Sequence, residues 1–130
     1  MPVVYLDTSV LGRVLLREPD SPPILRELGA FDQRVASRLM RTELRRLALR
    51  EDRLADGDQL LAGVALLPLD GEMLALAETI PPPAVATLLA IHLATALRLS
   101  HAGRLDAFMT YDKRLTAGAS QHGLTVLSPA

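Results

Sequence analysis

At 130 residues, 49% of them hydrophobic, the chain is sized for one small domain with a single core, spanning residues 1–130, and no second domain is expected. It has no cysteine, which excludes a disulfide framework and any thiolate metal site, so a metal would need carboxylate, imidazole or water ligands, as Mg²⁺ and Mn²⁺ prefer. A net charge of −1 supplies no global field for nucleic acid, and neither a run of roughly 18 uncharged apolar residues nor a signal-like start is present, so a cytoplasmic location without a membrane anchor is expected.

Val3 to Leu6 is a continuous apolar run rather than an alternating one, the pattern of a central strand buried on both faces. It ends on a carboxylate, Asp7, followed at once by the hydroxyls of Thr8 and Ser9, after which the pattern becomes helical. Ser21 before Pro22 and Pro23 reads as an N-cap with prolines in the first turn, opening a helix that stops near Gly29. A short strand over Arg34 to Ser37 leads into an amphipathic helix from Leu39 to Arg50, and "ADGD" at 55–58 starts another short helix. "VALLPL" at 64–69 is a strand candidate, Asp70 to Glu78 is helical, and "IPPP" at 80–83 is a stop and restart before the most apolar helix, Ala84 to Ala102. "DAFMTY" at 106–111 and "LTVLS" at 124–128 are the last strands, with a helical turn from Asp112 to Ala119 between them. Alternating strands and helices imply an α/β fold, a three-layer sandwich around a central parallel sheet.

In such sheets ligands bind beyond the carboxyl ends of the strands, where loops converge. Asp7 occupies that end of the first strand, and Asp112 follows "AFMTY" in the same relation to a later one. Either acid alone also suits a helix N-cap. Glu43 is a third candidate: it lies four residues after Leu39, three after Met40 and four before Leu47, and so borders the buried stripe of its helix. A carboxylate there is costly to desolvate unless donors or a cation meet it, although pairing with Arg46 or Arg50 would also serve. Asp106 begins its strand, about 17–20 Å of extended chain from Asp112, and reads as a turn or capping residue. Asp70 and Glu72 read as ordinary first-turn acids. His92 reads as a packing residue on an apolar helix, on the same face as Leu89 and able to approach the acids.

In order along the chain, "VVYLDTSVL", "SRLMRTEL", "LLAIHLATAL" and "FMTYDKRL" resemble the PIN-domain ribonucleases, and most closely the VapC toxins of bacterial VapBC toxin–antitoxin pairs. The resemblance implies a PIN-like α/β/α sandwich, a Mg²⁺- or Mn²⁺-dependent endoribonuclease acting on structured RNA such as tRNA, a VapB antitoxin partner and a homodimer. It makes Asp7, Glu43 and Asp112 the catalytic and metal-binding acids, with Ser9 and Thr110 in support. Bound divalent ions can neutralise a phosphodiester and activate water, and a few clustered carboxylates suffice to hold them. The chain departs from the family pattern at Leu89, where a fourth acid normally precedes the "AIHLATA" type of segment. Two readings stay open: an enzyme with an impaired metal centre, or a PIN domain that no longer cuts and instead binds RNA or sequesters VapB. A phosphotransferase using Asp7 as nucleophile is disfavoured, since "DTSV" lacks the second Asp such enzymes carry two residues on.

All but one of the 14 basic residues are arginine, the exception being Lys113. Arg34, Arg38, Arg41 and Arg45 are expected to form a basic stripe at the first turns of the Glu43 helix, with Lys113 and Arg114 beside Asp112, as an RNA-binding rim. The helices over 21–30 and 39–64 carry more Leu and Ala than one core layer needs, which suits either a partner face or ordinary core.

Overall fold

The computed structural model describes residues 2–130. Its strands are β1 (Val3–Leu6), β2 (Gln33–Ser37), β3 (Ala65–Leu67), β4 (Ala107–Met109) and β5 (Val126–Leu127). They form one parallel sheet in the order β3-β2-β1-β4-β5. The helices are α1 (Thr8–Leu15), α2 (Ser21–Leu28), α3 (Leu39–Arg50), α4 (Leu54–Leu61), α5 (Gly71–Thr79), α6 (Thr87–His101) and α7 (Lys113–Gln121).

This order explains the sandwich. The chain winds outward from β1 through β2 to β3, then returns to the other side of β1 for β4 and β5. With right-handed crossovers the two directions place their helices on opposite faces, α1 to α4 on one and α5 to α7 on the other. The winding reverses between β1 and β4, so the crevice outside their carboxyl ends is the ligand position for a sheet of this kind. Val4, Tyr5 and Leu6 are completely buried, as expected of a strand covered on both faces. Tyr5 pairs with Phe108 across the β1–β4 ladder, their rings stacked at 5.3 Å and 4°.

Several boundaries differ from the sequence expectation, for local reasons. Ser21 is the first residue of α2 rather than its cap; Asp20 takes the cap position without a side-chain cap bond, and its Oδ2 accepts from Arg13 Nη1 at 2.9 Å. The most apolar helix begins at Thr87, not Ala84: Ala86 is still extended after the prolines, with ψ 158°. The helix after Arg53 begins at Leu54, one residue ahead of "ADGD". The ladder of β3 is only three residues long and stops before Pro68, whose ring nitrogen has no hydrogen to donate. Asp106 sits at the opposite edge from Asp112, its Oδ2 accepting from Val3 N at 2.8 Å, and Asp70 caps α5 by accepting from Met73 N at 2.9 Å. Both acids are structural, as their positions suggest.

The layer that carries Glu43 is set by a close approach of α3 and α4. A Cβ built on Gly57 would stand 2.9 Å from Ala48 Cβ, so glycine lets the two helix backbones meet there. Gly57→Val is expected to destabilise the protein by about 1–3 kcal/mol through overpacking. Urea unfolding should show a lower midpoint with an unchanged slope, and adding Ala48→Gly should recover part of the loss.

Candidate active site

The end of β1 delivers Asp7 to the switch-point crevice. Asp7 occupies the cap position of α1 but makes no side-chain cap bond. Both of its oxygens are engaged instead: Ser9 Oγ donates to Oδ1 at 2.5 Å and Thr110 Oγ1 to Oδ2 at 2.7 Å. The carboxyl group is 1% exposed. Burial raises its pKa above the ordinary carboxylate value, and the two hydroxyls offset this only in part. No arginine or lysine pairs with it; its donors are neutral hydroxyls.

Thr110 ties the second acid to the first. While donating to Asp7, its hydroxyl accepts the backbone N–H of Asp112 at 3.1 Å, and the backbone N–H of Tyr111 reaches Ser9 Oγ at 3.4 Å. The strand ends of β1 and β4 are thus laced together by hydroxyls at the residues that carry the acids. Asp112 also caps α7, its Oδ1 accepting from Leu115 N at 2.8 Å. The cap reading of this residue is therefore correct, and Oδ1 is committed to it.

Glu43 stands on the second turn of α3 with its Oε1 held by two side chains. Thr8 Oγ1 donates to it at 2.6 Å, and His92 Nε2 lies 2.9 Å away. Burial raises the Glu43 pKa, but its interactions with His92 and Thr8 outweigh it and hold the carboxyl below its ordinary value. The sequence pattern assigns Thr8 no role of its own and marks His92 as a packing residue able to approach the acids. The signals available were the hydroxyl directly after Asp7 and the histidine one turn from Leu89. His92 Nδ1 lies 2.7 Å from the hydroxyl of Tyr5, which accepts the backbone N–H of Ser37 at 2.9 Å. Burial raises the Tyr5 phenol far above its usual value, so it keeps its proton.

Three carboxylates therefore line one edge of the sheet, linked through Thr8, Ser9 and Thr110. They are not drawn into a single ligand group: among the described residues, no set of three or more Asp, Glu or His side chains is close enough to hold a metal ion. Leu89, half-buried on α6 and packed against the core, contributes no oxygen. The donors suit a hard divalent ion in kind, since a buried carboxylate without a cation lies beside a second acid with one oxygen uncommitted. In number they are short, and the pair Asp7 and Asp112 would carry most of any such binding.

The basic residues lie differently from the expected stripe. Arg34 is not part of it: its guanidinium donates to the carbonyls of Leu28, Phe31 and Gly63, tying down the start of β2 at the far edge of the sheet. Arg38, Arg41 and Arg45 share a cavity of about 340 Å³ with Thr42, Arg46, Leu49 and Leu54. Arg41 and Arg45 are each two residues from Glu43, roughly 200° around the helix, so the cavity opens on the flank of α3 away from that acid. Arg45 pairs with Asp58 there, and Arg38 donates to Thr42. Lys113 and Arg114 are exposed on the first turn of α7, directly after Asp112. Arg13 lies over the ring of Tyr111 at 4.3 Å, beside the same crevice.

The burial of Asp7 gives a pH signature. Its folded pKa is raised above the ordinary 3.8, so ionising it disfavours the folded state, a penalty that appears as pH rises through the folded pKa and is absent below the unfolded one. With divalent ions chelated, Asp7→Asn is expected to raise the urea midpoint at pH 7. The gain over the parent protein should shrink as pH falls toward 3.8. A gain that does not depend on pH would refute this account of the carboxyl.

The PIN domain model matches residues 4–120. Over full length the chain is 39% identical to Ribonuclease VapC46 of Mycobacterium tuberculosis, covering 100% of both sequences. It is 36% identical to Ribonuclease VapC47 and 32% identical to Ribonuclease VapC35 of the same species, in each case over 98% of this chain and 97% of the relative. With a five-stranded parallel sheet between two helical layers, and acids gathered at its switch point, the chain belongs to the PIN domain family and, within it, to the VapC proteins.

Proposed function

We propose that this protein is the toxin of a VapBC pair, a single PIN domain over residues 1–130 and an Mg²⁺- or Mn²⁺-dependent endoribonuclease of structured RNA such as tRNA. Its activity is lowered by Leu89. The observation that carries the reading is the lacing of Asp7 and Asp112 through Thr110 at the β1–β4 switch point, with Glu43 held beside them by Thr8. A divalent ion held chiefly by Asp7 and Asp112 would supply charge neutralisation for the phosphate and activation of water. The chain's own contribution is positional. Ser9 and Thr110 fix both oxygens of Asp7, the turn into α7 fixes Asp112, and Thr8 and His92 fix one oxygen of Glu43. Little reorganisation is then needed when substrate arrives.

Lys113 and Arg114, next to Asp112, are placed to receive RNA phosphates, and Arg38 and Arg41 extend basic surface along the outer flank of α3. The leucines left exposed on α2 and α3, Leu25 at 51% and Leu49 at 53%, support contact of these helices with a partner. We take the partners to be a VapB antitoxin and a second copy of the chain. No helix among the described residues is long and apolar enough to cross a membrane, and we place the protein in the cytoplasm.

A second reading is favoured by one observation, the absence of a three-acid ligand group among the described residues. In it the PIN domain no longer cuts, and acts by binding RNA or sequestering VapB. Cleavage of a tRNA pool with Mg²⁺ or Mn²⁺ separates the two. The Leu89→Asp variant is expected to cut roughly tenfold or more faster than the parent, the scale on which metal-site partners change activity. Asp7→Asn and chelation should abolish cutting. If only Leu89→Asp cuts, the binding reading holds for this chain; if Leu89→Asp is also inert, the nuclease reading fails.

A further inference from the structure

The polar chain behind Glu43 does more than fill the core. It starts at a backbone amide of β2, crosses β1 through Tyr5, passes through His92 on α6 and ends on a carboxylate of α3, so it links both helical layers across the sheet. Tyr5, Ser37 and His92 are each no more than 1% exposed, so water does not compete for these bonds. Hydrogen-bond accounting along the chain then orients its members. The Ser37 N–H has only a donor to offer, so the Tyr5 oxygen accepts it at 2.9 Å. The phenolic proton must go elsewhere, and His92 Nδ1 lies 2.7 Å away. Thr95, the other hydroxyl nearby, gives its own proton to the carbonyl of Ile91 at 2.7 Å and keeps its lone pairs, but the side-chain hydrogen bond that the phenol makes in the structure runs to His92. A ring nitrogen that accepts carries no proton, which leaves the proton on Nε2, the nitrogen that faces Glu43 Oε1 at 2.9 Å and Thr8 Oγ1 at 3.3 Å.

We propose that Tyr5 and His92 are positioning residues for Glu43: Tyr5 fixes His92 as the tautomer protonated on Nε2 alone, and that N–H, with the Thr8 hydroxyl, pins Glu43 through Oε1. Neither bond uses Oε2, so the carboxylate presents one chosen oxygen to the crevice. The inference rests on the reading of Glu43 as a site residue, and it supplies what the α6 helix contributes now that Leu89 offers no ligand. His92 follows Leu89 by three residues, on the same helical face, so α6 still reaches the acids. It does so by orienting one of them rather than by supplying an oxygen.

The test is nitrogen-15 NMR of the imidazoles in the uncleaved, metal-free protein, where nuclease activity plays no part. His92 is expected to show a protonated, pyrrole-like Nε2 and an unprotonated, pyridine-like Nδ1, with an exchange-protected Hε2 resonance that disappears in Glu43→Ala. Tyr5→Phe, checked for retained fold by circular dichroism, should move the two nitrogens toward each other as the tautomers mix, and should weaken the exchange protection of the Ser37 amide. His92→Gln keeps an N–H donor near Glu43. In the Leu89→Asp background it should retain several-fold more cleavage than His92→Leu, with the difference in kcat rather than KM. A His92 protonated on Nδ1 or on both nitrogens, or a tautomer unmoved by Tyr5→Phe, overturns the relay. Failure of Leu89→Asp to cut RNA would overturn the nuclease reading while leaving the nitrogen signals as expected.

Discussion

A carboxylate held out of water at the mouth of a parallel sheet sets the terms for everything around it. Asp7 follows a strand with both faces covered, so its side chain emerges where solvent is already excluded. A buried charge without a counter-ion is costly, and hydroxyl donors offset only part of that cost. The surroundings show the compensation: Ser9 comes from the first turn of the following helix, Thr110 from the end of the neighbouring strand, and each spends its proton on Asp7. The same two hydroxyls accept the backbone amides of Tyr111 and Asp112, so stabilising one acid also fixes the loop that carries the next.

The second polar system, around Glu43, is built on a different economy. There burial is less complete and the carboxyl, met by Thr8 and His92, is held below its ordinary pKa, whereas that of the fully buried Asp7 is raised. Two neighbouring acids with opposite shifts give the crevice one group that readily stays charged and one that welcomes a proton or a cation. Tyr5 serves both the core and the site. Its ring stacks on Phe108 beneath the crevice while its hydroxyl joins the Ser37 amide to His92.

Leu89 joins the fold as a half-buried apolar residue with no oxygen to offer these acids. On α6 it packs against the core as an apolar residue should, and the acids near it are left to their hydroxyl and imidazole partners. The site keeps the framework of an acid centre, with no set of three or more acid or histidine side chains close enough to hold a metal ion among the described residues. The arginines do not make up the difference, because those on α3 turn their guanidinium groups toward a groove on the other flank of the helix.

Much of this was legible in the amino-acid sequence. The unbroken apolar run of β1 announced a strand covered on both faces, and the acids ending "VVYLD" and "MTYD" were placed at strand ends by chain order alone. The stripe of α3 put Glu43 at the border of its buried face. These features are local: strand and helix periods, and the residues that terminate them, are written within a few positions of one another. What only the tertiary structure decided is which of these local features meet. His92 touches Glu43 across 49 positions and Tyr5 across 87, because α3 and α6 lie on opposite faces of the sheet and converge only at its carboxyl edge. The diversion of Arg34 to backbone carbonyls, the capture of Asp20 by Arg13 and the aim of the α3 arginines have the same origin. A side chain's partner is set by packing between distant elements, and sequence periodicity carries a residue's face but not what will be brought against it.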